Sequence, residues 1–314
     1  MEIRLSILPT TQKEKAVMRL LAEQTEAYSL VELGLQAEDY KKIATAMEKP
    51  WGMILATGPT GCGKTTTLYA MLQVLNRREI NITTIEDPVE VDLEGINQIQ
   101  VDEKVGLTFA KGLRSIVRQD PDIIMVGEIR DVDTASIGIN AAMTGHLVLS
   151  TLHTNNAATA FVRLLDMGIE PFLLSSTINV VVAQRLVRKI CMNCIESTTF
   201  NGVQQKLLAH TPQIEPLLLH LTQKTTVHGL RVFHGKGCPV CHGSGYKGRI
   251  GVFETLVVTD EIRESIMGKK QADEIQEIAR GQGMTSMLTD GLRKALLGQT
   301  TLEEVLRVVY EEVL

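Results

Sequence analysis

The chain has 314 residues, of which 44% are apolar, and it carries a formal net charge of −5 at pH 7. This length predicts about two domains, and the apolar fraction suffices for a buried core. The negative charge disfavours a general nucleic-acid binder, and the longest apolar runs, such as residues 178–183, are too short to cross a bilayer. No cationic, apolar leader opens the sequence, so we expect a soluble, cytoplasmic protein.

The first 30 residues are too few to fold alone. Residues 2–8 alternate as a strand does, Pro9 begins a turn, and residues 14–23 carry an apolar face that is either helical or extended. A strand and one short segment do not make a domain. We expect either that they dock on another subunit or that part of a preceding domain is missing. Residues 30–35 are predicted to be a linker, and residues 37–49 an amphipathic helix.

Residues 58–65 match the phosphate-binding pattern G-x-x-x-x-G-K-[ST]. A short buried strand is predicted before them, at residues 53–56, and a helix after them, at residues 66–72. Glycines let backbone N–H groups close around phosphate oxygens, and a helix N-terminus adds partial positive charge. Lys64 would reach the β- and γ-phosphates, and the Thr65 hydroxyl would bind Mg²⁺. The predicted nucleotide contacts are Gly58, Pro59, Thr60, Gly61, Cys62, Gly63, Lys64, Thr65, Thr66 and, through the metal, Glu128.

Both flanks disfavour the alternative interpretation of this loop, a glycine-rich turn that happens to end in Lys-Thr. Cys62 lies at the start of the helix, where the pKa of a thiol tends to fall. We therefore expect Cys62 to react with thiol reagents, with a buried and inert thiol as the alternative.

Two further predicted strands run into acidic residues. Residues 80–85 lead into Glu86-Asp87-Pro88-Val89-Glu90, and the apolar strand 123–126 leads into Gly127 and Glu128. Strand ends beside a phosphate loop are where nucleotide chemistry occurs, although a solvated turn would also explain the first acidic run. The strand 123–126 with the residues after it resembles a Walker B strand in which Gly127 replaces the usual aspartate. Glu128 must then coordinate the metal alone or through water.

Strands and helices continue to alternate up to residue 186. The predicted strands are 96–101 and 146–153, and the predicted helices are 109–119 and 133–144. This order predicts a mainly parallel sheet with helices on both faces. His146 and His153 stand at opposite ends of one strand, so they cannot both contact one phosphate. Taken singly, a histidine of this kind is more often a structural group that forms a hydrogen bond than a catalyst.

Two C-x-x-C pairs follow, Cys191 with Cys194 and Cys238 with Cys241. Four thiolates on two tight turns can close a tetrahedral structural zinc site. The interval between the pairs is longer than in a usual zinc finger, and redox or free thiols are the alternative. His242 completes a C-x-x-C-H haem-attachment pattern, but haem attachment needs an exported chain. Beyond Gly251 the chain is expected to be helical, with helices at 260–268, 271–281, 284–297 and 302–313 that cover or brace the core.

Four ordered stretches make the chain resemble the secretion-ATPase superfamily. They are the phosphate loop, the acidic box at 85–90, the stretch 118–131 and the box 145–153. Its nearest counterparts are the type II secretion and type IV pilus assembly (extension) ATPases, because the pilus-retraction branch lacks the four cysteines. The resemblance implies an α/β fold: a RecA-like P-loop NTPase core (36–186), a tetracysteine zinc subdomain (187–250) and a C-terminal helical subdomain (251–314). Residues 1–35 would be the remnant of an N-terminal PAS-like domain with its linker, in a truncated or short member.

The resemblance also implies roles for single residues. Glu90 would be the base that polarises water, Glu128 the organiser of Mg²⁺, and His153 a sensor of the γ-phosphate. Arg4 and Arg19 match arginines that family members present to the nucleotide. The family pattern also includes three arginines whose individual roles stay open, Arg114, Arg118 and Arg130. Cys62 replaces the more usual serine or alanine, and hydrolysis is still expected because that position contributes its backbone N–H.

The implied cofactors are ATP, Mg²⁺ and Zn²⁺. The implied assembly is a homohexameric ring at the cytoplasmic side of an inner-membrane platform protein, held at the membrane through its partners, which moves pilin or pseudopilin subunits. Two alternatives stay open. One is a nucleotide-gated assembly scaffold that hydrolyses little ATP. The other is a DNA-translocating relative, which the acidic balance and the lack of a Lys/Arg stripe disfavour. Whether a pilus, a secretion or a competence machine is served stays open as well.

Overall fold

The computed structural model describes residues 2–21, 29–200, 211 and 214–310. The strands within these residues are β1 (Glu2–Pro9), β2 (Glu14–Leu21), β3 (Gly52–Thr57), β4 (Ile82–Glu86), β5 (Asn97–Gln100), β6 (Ile123–Val126), β7 (Leu147–Leu152), β8 (Ile178–Ile190), β9 (Ile195–Thr199), β10 (Arg231–Gly235) and β11 (Tyr246–Val257). Seven of these strands form one sheet in the order β11-β8-β3-β7-β6-β4-β5. All neighbours in it are parallel except β11, which runs antiparallel to β8. The predicted mixed α/β fold with a mainly parallel sheet is confirmed.

Helices cover both faces of this sheet. Within the described residues they are α1 (Ala37–Met47), α2 (Lys64–Leu75), α3 (Phe109–Ile116), α4 (Val132–Met143), α5 (Thr159–Asp166), α6 (Pro171–Thr177), α7 (Ile214–Thr222), α8 (Asp260–Met267), α9 (Ala272–Gly281), α10 (Met287–Leu296) and α11 (Leu302–Tyr310). On one face, α1 and α2 bury Ile43 and Met71 against Ile54 of β3. On the other, residues of α3 to α6 pack with α8 and α9 in a second apolar cluster that includes Phe161. None of these helices is both long and apolar enough to span a bilayer.

The region expected to be helical from residue 252 begins instead with a strand. β11 runs to Val257, and its central residues are buried because they are covered on both faces. The predicted boundaries 186/187 and 250/251 therefore fall inside β8 and β11, respectively. Two helices also differ slightly from expectation. α3 ends at Ile116 and continues as a 3-10 turn. α4 was expected to begin with Asp133 as its cap, but it begins at Val132 and is capped by Asp131, which accepts from the Thr134 backbone N–H.

The segment expected to be a linker packs onto the sheet. Leu30 and Leu35 are buried, and the Gly251 N–H donates to the Leu33 carbonyl at 2.9 Å. Gly34 has φ +102°, and a Cβ there would meet Ile250 at 2.6 Å. Only glycine permits both this backbone conformation and this approach.

A buried ion pair lies beside the same strand. Lys294 and Asp290, one turn apart on α10, are 2.5 Å apart and fully buried. Asp290 accepts from the Phe253 N–H at 2.8 Å, and the Lys294 ammonium donates to the Gly251 carbonyl at 2.6 Å. Burying two charges is tolerated where each is paired and also hydrogen-bonded. The pair therefore fixes α10 against β11.

The cysteine-containing segment shares its core with the C-terminal helices. β9 and β10 form an antiparallel pair. Behind it, Phe200 and Leu230 pack in one apolar cluster with Leu292 of α10 and Val305 of α11. These two parts of the chain therefore stabilise each other.

Candidate functional site

The loop after β3 has the conformation that glycine favours. Gly58, Gly61 and Gly63 have φ values of 145°, 78° and 88°, and Gly63 precedes the first residue of α2. A Cβ on Gly58 would lie 2.4 Å from the Gln184 carbonyl oxygen and 2.6 Å from the Cys62 sulfur. The loop therefore needs glycine here for steric as well as conformational reasons. Thr65 and Thr66 begin α2, where backbone N–H groups are free to bind an anion.

Lys64 turns its side chain back into this loop. Its ammonium donates to the carbonyl oxygens of Gly58 at 2.8 Å and Pro59 at 3.0 Å. Burial lowers the pKa of Lys64, while the charge of Glu128 works against that shift. The cation is thus held close to the loop backbone, where a phosphate oxygen could replace the carbonyl oxygens.

Cys62 is buried in the same loop, and this favours the inert alternative over the reactive thiol. Its side chain is 4% exposed, and burial raises the pKa of the thiol despite the nearby charge of Lys64. The helix N-terminus therefore does not make this thiol acidic. The Cys62 backbone carbonyl accepts a hydrogen bond from the Gln184 side chain of β8 at 2.8 Å. Gln184 and Cys62 are far apart in the chain, so no local sequence pattern predicts this contact.

Four charged or ionisable side chains meet beyond the ends of β4, β6 and β7. Glu128 pairs with the Arg130 guanidinium, and the His153 Nε2 lies 3.3 Å from the other Glu128 oxygen. Arg130 also lies 3.7 Å from Asp87 in the acidic box. Burial works to raise the pKa of Glu128, but the Arg130 and His153 contacts outweigh it and hold the pKa below its usual range. Glu128 is therefore an ionised carboxylate, which is the form that binds a divalent cation.

The two glutamates of the acidic box have different surroundings. Glu90 is exposed in the loop after β4. Glu86 is 2% exposed, and its carboxylate accepts from Tyr69, from the Thr84 hydroxyl at 2.6 Å and from the Gln98 amide at 3.1 Å. These three donors engage Glu86 inside the protein, so Glu90 is the glutamate of this box that solvent reaches.

Three of the remaining candidates, His146, Arg114 and Arg118, form no hydrogen bond or ion pair with this cluster in the described part of the structure. His146 contacts the Ala141 carbonyl oxygen through Nδ1 at 2.9 Å, which is a structural role. Arg114 and Arg118 are exposed on α3 and in the turn after it. Arg4 and Arg19 are direct partners in the antiparallel pairing of β1 and β2. Their side chains lie outside the described part of the structure.

The four cysteines form a second candidate site. Their sulfur atoms all lie within 4.8 Å of one another. Cys191 to Cys238 is 3.9 Å, Cys194 to Cys241 is 3.8 Å, and Cys238 to Cys241 is 3.7 Å. A tetrahedral zinc ion with Zn–S bonds of about 2.3 Å needs sulfur atoms about 3.8 Å apart, so the donor set fits zinc.

Backbone groups support the same cluster. The Cys241 sulfur accepts from the N–H groups of Cys238 at 3.2 Å and Gly245 at 3.3 Å. Such donors stabilise the thiolate form that a metal requires and orient it. Four sulfur ligands would fill the coordination shell of a tetrahedral ion and leave no position for water, which is typical of a structural rather than a catalytic site.

Known proteins resemble the chain over almost its whole length. The family model described as "Type II/IV secretion system protein" matches residues 1–307. Type II secretion system protein E of Pseudomonas aeruginosa is 50% identical over 99% of this chain, and the type IV pilus assembly ATPase PilB of Thermus thermophilus is 48% identical over 97% of it. The chain spans 59% of the first relative and 33% of the second.

Solved structures share the fold. The pilus retraction motor PilT, determined with bound ADP, is 26% identical, with a TM-score of 0.68 over 97% of this chain and 73% of that protein. The Yersinia pseudotuberculosis ATPase DotB is 23% identical, with a TM-score of 0.67 over 98% of this chain and 69% of that protein. The second likeness supports the fold alone.

Proposed function

The chain belongs to the type II/IV secretion system protein family, and from this membership we propose that it is an ATPase that powers pilin or pseudopilin assembly. One observation carries the proposal: the glycine loop with Lys64 and the ionised Glu128 follow parallel strands of one sheet. Parallel strands end at the same edge, which is where nucleotides bind in such sheets. The relatives named as ATPases and the ADP-bound motor support the same reading.

The proposed site is a P-loop within a RecA-like core. The loop from Gly58 to Thr66 would surround the phosphates, and Lys64 would exchange its two carbonyl partners for β- and γ-phosphate oxygens. The Thr65 hydroxyl and Glu128 would organise Mg²⁺, which would neutralise charge on the phosphates during transfer. Glu90, the exposed glutamate of its box, would polarise the attacking water. His153 would contact the γ-phosphate, with Arg4 and Arg19 supplied by the N-terminal hairpin.

The cysteine cluster is proposed to bind one Zn²⁺ through Cys191, Cys194, Cys238 and Cys241. The fit of the sulfur separations to a tetrahedral ion supports this. The ion would join the end of β8 to the start of β11. Its role would be to stabilise the fold around β9 and β10.

The proposed assembly is a homohexamer on the cytoplasmic face of the inner membrane, attached through a platform protein and without nucleic acid. The chain is about equally similar to protein E of type II secretion and to the pilus ATPase PilB, so the similarity supports service in either kind of machine. The acidic balance of the chain supports a protein rather than a nucleic-acid partner.

Steady-state phosphate release by the full chain tests the activity. We expect Mg²⁺-dependent release of phosphate from ATP. Lys64→Ala should lower both ATP affinity and turnover, whereas Glu90→Gln should bind ATP and lower turnover by about 10²–10⁴-fold. Glu94→Gln, an exposed acid of the same loop, is the matched control and should leave turnover unchanged. If the parent chain binds ATP without releasing phosphate, it is a nucleotide-gated scaffold and the proposal is wrong.

A further inference from the structure

The loop that carries Glu90 is held in place by side chains of the edge strand β5. The Val89 N–H donates to the Gln100 side chain at 3.2 Å, and the Leu93 N–H donates to the Gln98 side chain at 2.7 Å. The Gln98 amide donates in turn to the Val91 carbonyl at 3.1 Å. Backbone groups on both sides of Glu90 are therefore fixed by two glutamines.

Helix α2 holds the same loop from the other side. The Tyr69 hydroxyl accepts from the Glu90 backbone N–H at 3.3 Å and donates to the Glu86 carboxylate. Burial and the Glu86 carboxylate raise the pKa of Tyr69, so the hydroxyl keeps its proton at neutral pH. Tyr69 lies one helical turn after Thr65, on the helix that follows the phosphate loop.

The Glu86 carboxylate joins these two supports. It accepts from Tyr69 of α2, from Gln98 of β5 and from Thr84 of its own strand. All three partners donate hydrogen bonds, so an acceptor-only group such as an ionised carboxylate satisfies them at once. Because Glu86 is buried, the network works in a low dielectric, where each bond is stronger than in water and a lost partner is costly.

We propose that Tyr69 is a positioning residue that sets the Glu90 backbone relative to the phosphate loop. This inference rests on the proposed function, in which Glu90 polarises the attacking water. Tyr69 shares α2 with Lys64 and Thr65, so a shift of the first turn of α2 on nucleotide binding is passed to the Glu90 N–H through one hydroxyl group. The acid is thereby kept in register with the phosphates, and a small misplacement of a catalytic group costs much of the rate.

Tyr69→Phe is the direct test, because it removes the hydroxyl and keeps the ring that packs in the core. We expect kcat for ATP hydrolysis by the full chain to fall about 10- to 100-fold, while KM stays within about threefold. Amide hydrogen exchange of residues 87–96 should become faster. In the Glu90→Gln background the same change should lower the residual turnover by less than about twofold, because the group it positions is already lost.

Tyr246→Phe is the matched control. It removes a tyrosine hydroxyl that hydrogen-bonds Thr301 at 3.0 Å, away from the loop, and should leave kcat and the exchange of residues 87–96 unchanged. If the parent chain is active and Tyr69→Phe keeps kcat within twofold, the positioning role is refuted and the proposed function stands. A further large loss in the Glu90→Gln background shows that Tyr69 acts by another route and also overturns it. An inactive parent chain overturns the proposed function, and this inference with it.

Discussion

The Nε2 atom of His153 lies 3.3 Å from a carboxylate oxygen of Glu128, so the ends of β7 and β6 are joined by a contact between two side chains of the candidate site. Arg130 holds the other Glu128 oxygen. In the proposed function, His153 would exchange this contact for the γ-phosphate while Glu128 keeps its Arg130 partner.

His153→Ala is expected to lower kcat about 10²–10³-fold, the usual cost of losing one donor to a developing charge, with a smaller change in ATP affinity. Phosphate-release kinetics and nucleotide titration measure the two effects. His146→Ala, at the other end of the same strand, should reduce thermal stability but not kcat, because its partner is the Ala141 carbonyl. Equal kinetics for the two variants would show that His153 is also structural.

Arg4→Ala and Arg19→Ala are each expected to lower kcat sharply while ATP affinity stays within a few-fold. A guanidinium placed against the γ-phosphate stabilises charge that develops during transfer, an effect of about 10³–10⁵ for arginine fingers. Turnover should be measured under conditions in which the parent chain assembles into oligomers. Lys15→Ala, on the same hairpin, is the control. If both arginine variants hydrolyse ATP as the parent does, the arginines do not take part in catalysis.

Elemental analysis is expected to find one zinc per chain. Cys238→Ser should release it and lower the melting temperature, because the tetrahedron that joins β8 to β11 is broken. Cys62→Ser should keep the metal, since that thiol lies in the phosphate loop. A metal-free parent chain, or a Cys238→Ser variant that loses zinc at no cost in stability, would refute the structural role.

Cys62 is expected to react slowly with a maleimide in the folded chain, with or without ATP, because its thiol is buried and its pKa is raised. Mass spectrometry of labelled peptides measures the rate of maleimide addition at Cys62. The rate at each cysteine of the chain unfolded in urea provides the reference. Cys62→Ser should hydrolyse ATP within about twofold of the parent rate, since the position is expected to serve through its backbone. Fast labelling that ATP blocks would restore the reactive-thiol interpretation.

Stability between pH 2 and 4.5 is expected to depend on Glu304 of α11. Burial works to raise the pKa of Glu304, but hydrogen bonds from Arg188 and Arg307 lower it to about 2. The Nη2 atom of each arginine lies 2.7 Å from a Glu304 carboxylate oxygen. A depressed folded-state pKa stabilises the protein above the unfolded pKa of 4.5, and this stabilisation is lost as pH falls towards 2.

Glu304→Gln should therefore lower the free energy of unfolding by about 3 kcal/mol at pH 7, and by progressively less below pH 4.5. Urea denaturation across this pH range measures the difference. Glu277→Gln, an exposed acid on α9, should show no such trend. A constant difference between parent and Glu304→Gln from pH 7 to pH 3 would contradict the assignment.

Local patterns in the sequence predicted the parallel core well. The strands at 53–56 and 123–126 are short apolar runs bounded by clear signals, and each leads directly into residues of the candidate site. The spacing of Cys191, Cys194, Cys238 and Cys241 also identified the cluster, because two tight turns bring pairs of thiols together wherever the intervening chain goes.

Contacts between distant parts of the chain could not be predicted in this way. Three such contacts depend on how strands are ordered in the sheet: the Arg130–Asp87 pair, the bond from the Glu90 N–H to the Tyr69 hydroxyl, and the bond from Gln184 to the Cys62 carbonyl. β11 was missed for a related reason. It is an antiparallel edge strand with glycine and charged residues at its start, so neither alternation nor an apolar run marks it until it is paired with β8.

The outer edge of β11 has a consequence for assembly. The Gly251 N–H is engaged by Leu33, its carbonyl by Lys294, and the Phe253 N–H by Asp290. Unpaired groups at these positions would be a template for strand addition by another molecule, and their occupation removes it. Another copy of the chain therefore finds no free backbone partner at Gly251 or at the Phe253 N–H. In the proposed homohexamer, a subunit contact at this part of the edge would rely on side chains, so neighbouring subunits could separate and re-engage there without breaking a shared backbone ladder.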